Sequence, residues 1–268
     1  MESASGQSNA RDAGVDGKPA KREFIVGSIF MTHVRRIGFL RTFFGGFLQY
    51  LSVIEFVLLH LTVIIVLYRW MLTPFFKLKK FRIKDYLLMD RGKIEGMCAF
   101  DRLNCQFCGY ANGTAKLWND ELDEMAKADL GRGKPLLAAV TLLYTVCLLV
   151  FLFFQFILSK LLFMLIALFL GLHWAKTGEI RAELKARNYA GSHRAPLRGI
   201  LRFAKLYASS LALNLEQIES QWCPLKHIER EGAVVSEHHE NFFGQDKFGE
   251  ALEALAKDGT VSPRKPKY

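Results

Sequence analysis

Two groups of cysteine and histidine residues lie on either side of a long apolar stretch. The first is the pair Cys105 and Cys108, followed at once by Gly109, and the second is Cys223 with His227. Two thiolates spaced C-x-x-C can bind one metal ion when a tight turn brings both sulfur atoms to the same side, and a glycine after the second cysteine permits that turn. We therefore interpret Cys105-x-x-Cys108-Gly109 as a metal-binding knuckle.

The second group has a spacing that suits a helix. Pro224 favours the first position of a helix, which places Cys223 at its cap. His227 follows four residues after Cys223 and would project from the same face of that helix. Three thiolates and one imidazole form a tetrahedral Cys3His set suited to zinc. The sequence therefore predicts a zinc site made of Cys105, Cys108, Cys223 and His227.

An iron–sulfur cluster is the alternative. If Cys98 replaces His227, the set contains four thiolates, which suits such a cluster. Zinc is favoured because both the glycine knuckle and the histidine four residues after Cys223 fit it. Close cysteines in a reducing compartment are more often metal ligands than disulfides, and Cys147 within the apolar stretch is interpreted as a core residue.

The residues around both groups resemble a motif pair found in uncharacterised bacterial proteins. The matching strings are Leu103-Asn-Cys-Gln-Phe-Cys-Gly-Tyr-Ala-Asn-Gly113 and Trp222-Cys-Pro-Leu-Lys-His227. In those proteins the two strings lie close together in the sequence, whereas here the apolar stretch separates them. The resemblance implies that the two groups of ligands belong to one site, and it implies no activity.

Two apolar segments are long enough for a membrane. A transmembrane helix needs about 20 apolar residues, and residues 47–70 meet that requirement. The second segment, 135–175, would be about twice the hydrocarbon thickness as one helix. We therefore predict a transmembrane or re-entrant hairpin there, with its turn at the polar residues Gln155, Ser159 and Lys160; one long bent helix is the other possibility.

The net charge of +10 is concentrated beside these segments, which favours a membrane surface over nucleic acid as the partner. The basic residues that follow the first segment are Lys77, Lys79, Lys80, Arg82 and Lys84. Such flanks indicate anionic lipid headgroups and a cytoplasmic side. We expect a bacterial inner-membrane protein whose metal site faces the cytoplasm.

The predicted fold is all-α: one span and one helical hairpin, with a small cytoplasmic α-helical metal-binding module. The remaining divisions are a disordered N-terminus (1–23), an interfacial amphipathic segment with a glycine hinge (24–46), a cytoplasmic segment with the C-x-x-C pair (71–134), cytoplasmic helices that include the Cys223 and His227 motif (176–257) and a basic tail (258–268).

Two amphipathic helices are expected in the polar segments, because apolar residues recur there at helical spacing. The first covers 114–129, and the second covers 197–220. In the first helix, the inward residues would be Leu117, Trp118, Leu122 and Met125. Its carboxylates would form a solvated face, namely Asp120, Glu121, Asp123 and Glu124.

Glu55 and His60 are ionisable residues within the first span, where each needs a partner. Five positions apart, they diverge by about 140° around a helix. Hydrogen bonds to Gln155 or to a tyrosine of another helix are therefore favoured over a shared proton path.

The function favoured by the sequence is a binding or scaffold role with a structural zinc site. A membrane redox protein, with an iron–sulfur cluster and a quinone or proton path through Glu55 and His60, is the alternative. No nucleophile–base pair or phosphate-binding loop is evident, so the sequence assigns no reaction.

Overall fold

The computed structural model describes residue 34 and the ranges 37–89, 99–130, 134–170 and 177–222. Every regular element in these ranges is a helix, which confirms the all-α class for this part of the chain. The helices are α1 (Phe39–Phe76), α2 (Ile83–Tyr86), α3 (Ala99–Lys127), α4 (Pro135–Leu170), α5 (Thr177–Ala186) and α6 (Ala195–Trp222).

Helix α1 contains the whole of the predicted span 47–70. It is α-helical over Phe39–Leu58, π-helical over Leu59–Leu72 and α-helical again over Thr73–Phe76. The predicted glycine hinge is wrong, because Gly45 and Gly46 lie inside the first α-helical part. A helix tolerates glycine at a modest cost, and the apolar residues around this pair continue the helical pattern.

The predicted hairpin is also wrong, because α4 is one helix of 36 residues. The polar residues Gln155 and Ser159 do not form a turn; they are buried within the helix and contact α1. No glycine or proline interrupts Leu136–Leu170, so the helix continues through them.

Contacts along the helices define their directions. Tyr50 of α1 donates to Asn104 of α3 at 2.7 Å, and Arg69 further along α1 lies 3.8 Å from Glu121 further along α3. Helices α1 and α3 therefore run parallel. The segment between them returns along α3, since Tyr86 donates to Asp120 at 2.7 Å.

The second half of the described chain repeats this order in the opposite direction. The rings of Phe44 in α1 and Phe169 in α4 are 5.7 Å apart, so these two helices are antiparallel. Helix α6 then runs parallel to α4, with Phe156 and Phe203 in ring contact at 5.8 Å. Each half thus consists of a long apolar helix, a return segment and a second helix parallel to the first.

The largest helix interfaces are α3 with α6 and α1 with α4. Helix α3 lies inside the bundle, since no residue from 107 to 126 is exposed. The two helices of the predicted cytoplasmic module therefore pack along the apolar helices and do not form a separate unit. As predicted, Leu117, Trp118, Leu122 and Met125 face inward.

Helices α1 and α4 turn an apolar face outward. Both are long and apolar enough to cross a membrane, and only 39% and 22% of their most apolar windows are buried. A core helix of a soluble protein would be mostly buried. These two helices support the prediction of a membrane protein.

Candidate functional site

Cys105 and Cys108 lie in the interior of α3, where Cys105 is buried and Cys108 is half-buried. The predicted knuckle is wrong, because this part of the chain is continuous helix and its amides serve the helical hydrogen bonds. At a spacing of three residues, the two thiols instead project from one side of the helix.

The glycines of the motif have a packing role. A Cβ added to Gly109 would lie 1.8 Å from the carbonyl oxygen of Leu88, and one added to Gly113 would lie 2.3 Å from that of Tyr86. Helix α3 therefore needs glycine at both positions for the return segment to pack against it. The G-x-x-x-G spacing of Gly109 and Gly113 is the sequence signal for this close approach.

A small cavity beside Cys108 lies between α3 and α6. Its wall includes Ser52 of α1 and both Leu215 and Ile218 of α6. The last turns of α6 thus lie on the side of α3 that carries Cys108. Among the described residues, no three His, Cys, Asp or Glu side chains come together as a metal site. The other predicted ligands, Cys98, Cys223 and His227, lie outside the described residues.

Glu55 forms the centre of a buried cluster at the junction of three helices. Its carboxylate oxygen Oε1 accepts hydrogen bonds from Ser159 of α4 and, at 3.1 Å, from Tyr207 of α6. The hydroxyl groups of Ser159 and Tyr207 also bond to each other. The side-chain amide of Gln155 donates to the backbone oxygen of Glu55 at 3.4 Å. The expected bond of the Glu55 carboxyl to a tyrosine is therefore present, and Gln155 bonds to the backbone of the same residue.

His60 faces a different helix. Its Nδ1 atom lies 3.1 Å from the hydroxyl group of Tyr110 in α3. Glu55 instead contacts α4 and α6, so the structure does not bring Glu55 and His60 together. The proton path of the redox alternative receives no support from their contacts.

Glu121 is a second buried carboxylate, and the prediction of a solvated acidic face is wrong for it. It lies 3.8 Å from Arg69 of α1, and burial raises the pKa of the Glu121 carboxyl well above its ordinary value, an effect that Arg69 opposes. Glu121 follows Leu117 by four residues and precedes Met125 by four. This spacing places Glu121 on the buried stripe, a signal that the run of acidic residues obscured.

A polar cleft of about 110 Å³ lies between α3, α5 and α6. Within it, Lys205 donates to Asp123 at 2.9 Å and to the backbone oxygen of Asn119 at 3.1 Å, and Lys116 pairs with Asp120. Burial lowers the pKa of Lys205, and Asp123 opposes this effect. Because these lysines are already paired with carboxylates, we interpret the cleft as a charged seam that joins the helices.

No protein-family model, curated protein or solved structure matches this chain. The functional argument therefore depends on the contacts described above.

Proposed function

We propose that this chain is a bacterial inner-membrane protein in which a structural zinc ion joins α3 to the residues that follow α6. The ligands in this proposal are Cys105, Cys108, Cys223 and His227. The zinc ion would link two distant parts of the chain. The protein would act as a binding or scaffold protein.

The antiparallel packing of α6 along α3 carries this proposal. His193, just before α6, bonds to Met125 near the end of α3 at 3.0 Å, whereas Ile218 near the end of α6 shares a cavity with Cys108. Contacts thus progress along both helices toward the end of α3 that holds the cysteine pair. In the sequence, Cys223 follows α6 directly.

The ligand types also suit zinc. Thiolates and imidazole are its preferred ligands, and a structural site has four protein ligands with no open position. Cys105 and Cys108, on one side of a helix, would supply two of them. Because such a site does not exist in the unfolded chain, zinc binding would stabilise the folded state.

The cytoplasmic side of the membrane is the proposed location of the metal end. A reducing compartment keeps thiols available as ligands. Exposed basic residues follow α1, and they would contact the anionic headgroups of the same membrane surface. These residues include Lys77, Lys79 and Lys80.

Metal analysis of the purified full-length protein tests the zinc site. We expect about one zinc ion per chain and a colourless protein. Cys108→Ser and Cys223→Ser should each remove the zinc and lower the unfolding temperature. Cys147→Ser is the matched control, because Cys147 is half-buried in α4 and belongs to no proposed ligand set. Full zinc content in Cys223→Ser would contradict the split site.

The same preparation tests the redox alternative. A brown protein that contains iron and acid-labile sulfide, and that loses both in Cys98→Ser, would replace zinc with an iron–sulfur cluster. Zinc loss in Cys98→Ser would instead change the ligand set and leave the metal unchanged.

A further inference from the structure

The length of the apolar helices restricts how they can lie in a bilayer. Helix α4 has 36 residues, and its exposed apolar side chains extend from Leu136 to Leu168. This stripe is about 48 Å long, whereas the hydrocarbon core is about 30 Å thick. To fit the stripe across the core, the helix would have to tilt by about 50°, beyond the usual range of about 0–40°.

Charged side chains lie alongside the same helices. Tyr68 of α1 donates to the backbone oxygen of Lys79 at 2.8 Å, so the return segment passes beside the candidate span. The exposed charged residues of the two return segments are Lys79, Lys80, Arg82, Lys84, Glu179, Arg181, Glu183, Lys185 and Arg187. We call these residues the charged layer. If α1 crossed the bilayer, part of the charged layer would lie at hydrocarbon depth, where charges are strongly disfavoured.

Lys160 provides a third observation. It is exposed ten residues before the end of α4, and its Nζ atom lies 5.5 Å from the ring centre of Phe156. Exposed apolar side chains continue beyond it to Leu168, so in a spanning helix this ammonium group would lie within the apolar stripe, where a charge is disfavoured. On a helix that lies parallel to the membrane surface, the side chain can extend to the headgroups.

We propose that the bundle lies with its helix axes parallel to the membrane plane, with the outward face of α1 and α4 embedded in the acyl chains of one leaflet and the charged layer in water. This inference rests on the membrane part of the proposed function and is independent of the zinc ion. It places both ends of α4 on the same side of the membrane. Cys108 and the basic residues after α1 can then share one compartment without any crossing of the bilayer.

Depth measurements along α4 test this orientation. Single cysteines introduced at the exposed positions Leu142, Val150, Ile157 and Leu168 would carry nitroxide labels in the full-length protein. The protein would be reconstituted in vesicles of phosphatidylcholine and phosphatidylglycerol. The wild-type chain, treated with the same label, would give the background signal. Collisions with oxygen and with a water-soluble nickel complex would report the depth of each label.

The expected result is a similar, shallow depth at all four positions. A depth that passes through a maximum near the middle of α4, with both ends shallow, would overturn the proposal. A label at Lys80→Cys is the matched control for the charged layer and should remain in water; hydrocarbon depth there would also overturn the proposal.

Two other results of this experiment distinguish failure of the proposed orientation from failure of the proposed membrane location. Failure of the protein to bind vesicles would remove both. Vesicle binding with label-to-label spin coupling, and with no response to lipid-dissolved oxygen, would mean that a second copy covers the α1–α4 face. That outcome overturns the orientation and leaves the membrane location standing.

Discussion

The two fully buried carboxylates, Glu55 and Glu121, are stabilised by different kinds of neighbour. Glu55 accepts hydrogen bonds from two neutral hydroxyl groups, and no basic side chain of the described residues pairs with it. Glu121 lies beside the guanidinium group of Arg69, and neither of its oxygens has a hydrogen-bond partner within the described ranges. The Glu55 carboxyl is held by hydrogen bonds to its Oε1 atom alone, since its Oε2 atom has no partner within the described ranges, and the Glu121 carboxyl is held by charge.

The number of hydrogen atoms available for the hydrogen bonds around Glu55 further distinguishes it from Glu121. The oxygens of Glu55, Ser159 and Tyr207 make three mutual contacts, and the two hydroxyl groups supply only two hydrogens. Three hydrogen bonds around this ring need the hydrogen of a neutral Glu55 carboxyl, whose Oε1 atom then donates to one hydroxyl group and accepts from the other. Glu121 accepts no hydrogen bond within the described ranges, and its negative charge is balanced by the guanidinium group of Arg69. Substitutions at Glu121 and its partner should therefore change stability much more than a substitution at Glu55.

The largest effect is expected for Arg69→Met. This substitution leaves the Glu121 carboxylate buried without its cation, and breaking a buried pair in this way costs about 3–5 kcal/mol. The double variant Arg69→Met/Glu121→Gln should recover most of that loss. Thermal unfolding in detergent would measure both; an equal loss in the double variant would mean that Arg69 acts through its bond to Phe81 and not through Glu121.

The pH dependence of Arg69→Met gives a second measure. Burial raises the pKa of Glu121 above its ordinary value of 4.5 and Arg69 opposes this effect, so removal of Arg69 should raise the pKa further and favour the neutral carboxyl in the folded variant. Stability from this group is therefore full below the unfolded-state pKa and is lost as the pH rises through the folded-state pKa. The deficit of the variant should be small in acid and should grow toward neutral pH.

A smaller loss of stability is expected for Gly113→Ala, which tests whether the return segment packs closely against α3 at this position. The added Cβ would displace the backbone at Tyr86, whose side chain bonds to Asp120 beside Glu121. Overpacking of this kind costs about 1–3 kcal/mol.

Gly199→Ala in α6 is the matched control for Gly113→Ala. Its Cβ would meet nothing within 4 Å. This substitution should therefore stabilise the protein by about 0.5–1 kcal/mol. If both substitutions had the same effect on the unfolding temperature, close packing at Gly113 would be refuted.

The smallest change is expected for Glu55→Gln. A glutamine amide can both donate to and accept from the two hydroxyl groups, so stability should change by less than about 1 kcal/mol. Infrared difference spectra between this variant and the wild type should show one protonated carboxyl band that the variant lacks. A large destabilisation without such a band would indicate an ionised Glu55 and remove the contrast with Glu121.

The all-helical class and the amphipathic helix 197–220 could be predicted because both depend on local hydrophobic periodicity. In that helix, Ala204, Tyr207, Leu211, Leu215 and Ile218 are buried as the spacing indicates. Local periodicity could not decide between a hairpin and one long helix for α4. Whether Gln155 and Ser159 end a helix depends on whether another helix offers them partners, and Glu55 is 104 residues from Ser159 in the chain.

The cysteine motif illustrates the same limit. The sequence C-x-x-C-G suits a knuckle, but it suits a helix equally when the glycine lies against another backbone. Leu88 is that neighbour for Gly109, and its position could not be read from the motif. The spacing of Glu121 from Leu117, by contrast, was local and would have identified a buried carboxylate.

The α3–α6 interface restricts when the bundle can pack during synthesis of the chain. This is one of the two largest interfaces, and its two helices belong to different halves of the chain. Until α6 has been synthesised, α3 lacks the partners of the polar groups that it turns toward α6, including the side-chain oxygen of Asn119, which accepts a hydrogen bond from Ser209. The interface of the first half with α6 therefore forms only after the last described helix has been made, and until then the apolar surface that α6 covers is a risk for aggregation.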